Sequence, residues 1–249
     1  MPQPLPISLC GDASLSALSA YPALSDADAV LVAASIKALT PCGMLISVSV
    51  DFGGIERVAS VTDEGVDALA GAIATTCGEV ASLKFGAMHF DVSRLFTPSP
   101  VMVINLLNLA LGDHGMILLA RMLLAGTPAP LQSLDLGWNA IGNGFGTLAR
   151  AFKEPAVRQL TTSLSKLTLW NNALGDDALA ELSSAIGIGA LPGLRELRLH
   201  KTKLSDLRLP EFAEACKRLT TDRLDGNGKP QLCRVERYRR ALSHSVASG

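Results

Sequence analysis

With 249 residues, 48% of them apolar and only 4% aromatic, the chain can fill a core but must fill it with small aliphatic side chains, which suits many similarly packed units. A formal net charge of -1 supplies no global field toward nucleic acid or an anionic membrane, so any charged partner must be met locally. The five cysteines, Cys10, Cys42, Cys77, Cys216 and Cys233, include no C-x-x-C pair, which points to reduced thiols in a cytosolic protein rather than to a disulfide framework or a zinc site.

In chain order, the opening stretch MPQPLPISLCGDASLSALSA lacks the basic residues and the long apolar run of a leader, and residues 1–23 are set apart as an N-terminal segment and cap. From Leu24, LSDADAVLVAASIKAL has helical spacing of apolar residues and predicts a first helix whose partner strand is not placed. Leu45, Val48 and Val50 begin a strand, followed by an expanded turn, FGGIERVAS, and a second helix, VTDEGVDALAGAI. Val80, Leu83, Phe85, Met88 and Phe90 make a partial copy of a spacing that Val101, Ile104, Leu106, Leu109 and Leu111 repeat before the helix LGDHGMILLARMLL. The segment from Val101 to Gly126 is the most membrane-like, but Asn105, Asn108, Asp113, His114 and Arg121 interrupt it. Each apolar half is too short for about 30 Å of hydrocarbon, so buried soluble structure is expected.

The pattern is fullest in LQSLDLGWNAIG, where Leu131, Leu134, Leu136, Asn139 and Ile141 hold positions 1, 4, 6, 9 and 11 of a unit. Leu164, Leu167, Leu169, Asn172 and Leu174 repeat it, and so do Leu194, Leu197, Leu199, Thr202 and Leu204, with Thr in the Asn place. Successive starts at Val101, Leu131, Leu164 and Leu194 are 30, 33 and 30 residues apart, the signature of a stacked array. Leu219, Asp222, Leu224 and Asn227 are read as a last, degenerate copy. Each unit is a strand with positions 1, 4 and 6 turned into the core, a turn, and a helix such as LGDDALAELSSAI. An Asp near each helix start is expected to accept amide hydrogens of its own first turn, and Asn139 and Asn172 to satisfy backbone groups that the turns leave unpaired. The tail, RVERYRRALSHSVASG, predicts a short amphipathic helix over the end of the array and then a frayed terminus, within a capping segment at 228–249.

LQSLDLGWNAIG, LSKLTLWNNALGDDAL and VINLLNLALGDHG resemble the leucine-rich repeat family, in its ribonuclease-inhibitor-like subclass. The resemblance covers residues 24–227 and implies an α/β solenoid, a horseshoe with a parallel sheet on the concave face and helices on the convex face. Leu109 and Met88 in the Asn place, the expanded first turn and the degenerate last copy depart from that pattern.

On a strand, the positions between the core set are free for binding. The sequence nominates Asp135, Trp138, Lys166, Trp170, Arg195, Arg198, His200 and Arg223 for a protein partner, on a surface that runs from apolar, past the two tryptophans of the chain, to basic. Two alternatives stay open: the indoles can serve a partner or merely pack on each other and a terminal segment, and the basic group can meet an acidic surface or be a solvated face. No catalytic residue, metal site or cofactor is nominated. His114 beside Asp113 replaces an ordinary helix-start residue, IGNGFG lacks the spacing of a phosphate loop, and no G-x-S-x-G or H-E-x-x-H occurs. The expectation is a non-enzymatic cytoplasmic interaction module, a scaffold subunit of an assembly such as a ciliary or cytoskeletal complex, with neither nucleic acid nor membrane as partner. The other reading is a small-GTPase regulator, because Ran GTPase-activating proteins are similar to this repeat subclass.

Overall fold

The computed structural model describes residues 7–8, 17–20, 25–39, 47–50, 62–76, 82–85, 88–90, 102–125, 130–221 and 234–236. Strands and helices alternate along most of the chain. The order is β1 (Ile7–Ser8), β2 (Ala17–Ala20), α1 (Asp26–Leu39), β3 (Ser47–Val50), α2 (Asp63–Thr76), β4 (Ser82–Phe85), β5 (Met88–Phe90), β6 (Met102–Asn105) and α3 (Gly112–Leu124). Then come β7 (Leu131–Asp135), α4 (Phe145–Ala151), α5 (Pro155–Thr161), β8 (Lys166–Thr168), α6 (Asp176–Gly187), β9 (Glu196–Arg198), α7 (Leu209–Thr221) and β10 (Arg234–Glu236).

Strands β6 to β10 form one sheet in chain order, every pair parallel. Its register places position 4 of each unit beside position 4 of the next: Ile104, Leu134, Leu167, Leu197 and then Val235. The first four of these are at most 3% exposed. They share one core with the inward faces of the helices, including Met116 and Met122 of α3, Leu148 of α4 and Leu182 of α6. A short strand followed by a helix can bury its apolar side only against that helix and against neighbouring units, so the regular spacing becomes a continuous column. The helices follow suit, α1 packing on α2, α2 on α3, α3 on α4, α4 on α6 and α6 on α7. No described helix is long and apolar enough to cross a membrane, and the membrane-like segment divides into β6 and α3.

A second sheet, β1 to β5, has three parallel strands in its middle, with Leu18, Val48 and Leu83 in one register row. Strand β2 is the partner that the sequence leaves unplaced for the first helix.

Four expectations are corrected. Met88 and Phe90, expected as turn and helix-entry positions, lie in β5, which doubles back antiparallel to β4. Leu219, expected to open a last strand, sits in α7 at 6% exposure, because Phe212, Ala215 and Leu219 are spaced to share a helical face. The strand of that last unit is instead β10, so Arg234–Glu236 is not helical; alternating Arg, Val and Glu fits a strand paired with β9. Finally, the helix of the unit starting at Leu131 is broken in two, since Pro155 has no N–H to continue α4 and opens α5 instead.

Candidate functional site

The sheet face turned away from the helices carries positions 3, 5 and 7 of each unit, and the chain leaves each strand through position 8. Asn108, Trp138, Asn171 and Lys201 occupy that position with φ of 56, 57, 54 and 55°, the left-handed region. This bend lets position 9 plunge inward, where Asn139 is fully buried and Asn172 is 4% exposed. Each Asn then ties its own unit to the one before. Asn172 Oδ1 accepts from Asn139 N (3.0 Å) and Ile141 N (3.1 Å), while its Nδ2 donates to Leu136 O (2.8 Å). Asn139 Oδ1 likewise accepts from Leu109 N (2.8 Å), and its Nδ2 donates to Leu106 O (2.7 Å). Thr202, shorter, donates to Leu199 O of its own unit (2.7 Å).

Position 7 builds the centre of the face, with Leu107, Gly137, Trp170 and His200 in successive units. A Cβ on Gly137 would lie 2.5 Å from Trp170 Nε1 and 3.1 Å from Leu107 Cδ1, so the indole lies across the glycine and reaches toward Leu107. On its other side Trp170 stacks on His200, with ring centroids 5.2 Å apart and planes 22° from parallel. Trp138 meets Trp170 edge to face, at 5.8 Å and 76°. Trp138 is 46% exposed and Leu107 is 40%, with Val103 of β6 at 62% on the same side.

Charged side chains flank this row. Glu196 sits between two cations, with its carboxylate 3.7 Å from Lys166 Nζ and accepting from Arg198 Nε. Asp135 accepts from Gly137 N (3.0 Å), as Asn105 accepts from Leu107 N (3.1 Å), so position 5 braces the start of the turn in both units. Arg195, Lys201 and Lys203 are exposed. Thr168, expected on the free face, is only 1% exposed, because it lies in mid-sheet between Asp135 and Arg198 in register. Its Oγ1 and His200 Nδ1 are buried without a hydrogen-bond partner.

Of the eight nominated residues, the structure brings Trp138, Trp170 and His200 into contact and joins Lys166 to Arg198 through Glu196. Asp135 is spent on the turn, Arg195 is exposed at the entry to β9, and Arg223 lies outside the described residues. Gly137 and Glu196 were not nominated. The only sign of Gly137 in the sequence is a glycine at position 7, between the units that place Leu and Trp there.

The IGNGFG stretch is a close-packed turn that runs into the start of α4 at Phe145. Gly142 N donates to Asp113 Oδ1 at 2.7 Å, and a Cβ on Gly144 would lie 2.5 Å from Asp113 Cα. On the helical side, a cleft of about 540 Å3 between α4 and α6 is lined by Arg150, Lys153, Glu181 and Ser184. Lys153 and Arg150 both donate to Glu181 and hold its carboxyl below the usual range, the Lys153 hydrogen bond contributing most. Among the described residues, no group of three or more His, Cys, Asp or Glu converges to hold a metal ion. No protein-family model matches the chain, and no curated protein does.

Proposed function

We propose that the chain is a leucine-rich repeat protein of the ribonuclease-inhibitor-like kind, a horseshoe whose parallel sheet lines the concave side, and that it is a non-enzymatic module binding a protein partner there. The observation that carries this is Trp138. Position 8 is left-handed in four successive units, but Asn or Lys fills it in the others, whereas here it holds an indole that stays 46% exposed. Contact with a partner accounts for that exposure, and Leu107, 40% exposed, extends the apolar area beyond a single side chain. The polar groups suit binding better than chemistry, since Asp135 is used by a turn and Glu196 by Lys166 and Arg198.

Trp138→Asn is the decisive variant, because Asn accepts the left-handed conformation that Asn108 and Asn171 already hold in neighbouring units. It is expected to keep the melting temperature of the parent while partners recovered by affinity purification and mass spectrometry are lost. An unchanged set of partners would remove the reading. Trp170→Ala gives the contrast: its ring covers Gly137 and supports both neighbours, so stability should fall along with binding.

A further inference from the structure

The outer face changes character along one direction, and that gradient specifies a partner. This step rests on the reading of the face as a protein-binding surface. At the β6–β7 side stand exposed Val103, Leu107 and Trp138, while at the β9 side stand Arg195 and Lys201, also exposed. Between them Lys166, Glu196 and Arg198 are joined in ion pairs, so the exposed positive charge of that side is carried by Arg195 and Lys201. Like charges gathered at one end of an apolar strip favour a counterpart of opposite sign placed at that end.

We infer that the face binds an extended acidic segment of a partner protein, laid across the strands, with an apolar side chain seated against Trp138 and Leu107 and a carboxylate over Lys201, which holds the same position in its unit as Trp138. The dimensions fix the spacing. Strands β7 and β9 are two inter-strand steps apart, roughly 10 Å. An extended chain covers that in about three residues, so the apolar anchor and the first acidic residue are three or four positions apart. The C-terminal stretch of this chain is not the occupant, because Arg237, Arg239 and Arg240 repeat the sign of the basic end.

The test is selection from a displayed library of short random peptides on the full chain, followed by titration of the selected peptides. Trp138 and Trp170 are the two tryptophans of the chain, so intrinsic fluorescence reports on the face itself. Selected peptides should carry Asp or Glu three or four residues from a Leu, Ile, Met or Phe. Their affinity should drop at least about tenfold in the Lys201→Glu variant and fall as salt rises. Peptides that are basic or uncharged, yet need Trp138, would overturn the acidic partner and leave the binding face standing. Peptides bound equally well by the Trp138→Asn chain, or no enrichment at all, would overturn the inference, and the first of these would take the binding face with it.

Discussion

Asn172 serves two units at once. Its amide accepts from two backbone N–H groups, Asn139 and Ile141, and donates to Leu136 O and Leu169 O, all away from water. A buried donor or acceptor left unpaired costs about 1–3 kcal/mol, and Asn172→Leu would leave three such groups in the preceding unit without this partner. The substitution should therefore lower stability by about 3 kcal/mol or more, read as a fall in the urea midpoint; a midpoint unmoved from the parent would deny the side chain this role. The same position was legible in the sequence as a lone Asn after each strand. What was not legible is that the amide serves mainly the unit before its own, since that partner lies about thirty residues away and is chosen by stacking. Gly137 makes the same point at the surface, because its missing Cβ matters only once Trp170 is known to lie over it.

Between elements, acidic residues act across units rather than within a helix. Asp113 and Asp176 were expected to cap α3 and α6, but neither helix has a side-chain cap. Asp113 instead accepts from Gly142 N (2.7 Å), Asp176 from Ser205 N (2.9 Å) and Asp26 from Thr62 N (2.8 Å), each fastening the loop that enters the next helix. At α1 the end is closed by Ser25 and Asp28, which bond to each other's backbone N–H. Glu181 of α6 plays a similar bridging part toward Arg150 and Lys153 at α4. Its carboxyl is held below the ordinary value of 4.5, so its contribution is present above that pH and is lost as pH falls through the lowered value. The three side chains are partly exposed, and the contribution is less than about 1 kcal/mol. Glu181→Gln should accordingly make stability less dependent on pH in that acidic window. Parallel denaturation curves for parent and variant across it would show that the bridge contributes nothing.

At the scale of the whole molecule, helix packs on helix from α1 to α7, and α2, which follows a strand of the first sheet, packs directly on α3, which follows a strand of the second. Buried side chains from α1 to α7 belong to one core. Unfolding should then be a single transition, with tryptophan fluorescence, which reports on β7 and β8, coinciding with helical circular dichroism. Leu167, fully buried with Leu134 and Leu197 beside it in register, is the place to weaken it. Leu167→Ala should cost about 2–5 kcal/mol and shift both signals together. Two separated transitions would instead mark the β1–β5 part as an independent folding unit.

The order of residues by itself determined the strand, turn and helix of the units starting at Val101, Leu164 and Leu194, the inward set at positions 1, 4 and 6, and the gathering of Trp138, Trp170 and His200. Periods of two and 3.6 are written locally, and a repeat of thirty-odd residues carries equivalent positions into one row. Only the tertiary structure decided that β5 turns back on β4, that Leu219 belongs to a helix and Arg234–Glu236 to a strand, and that the helix-start aspartates reach forward. Those outcomes depend on which backbone groups and surfaces the neighbouring unit offers, and residues distant in the chain acquire such neighbours only when the units stack.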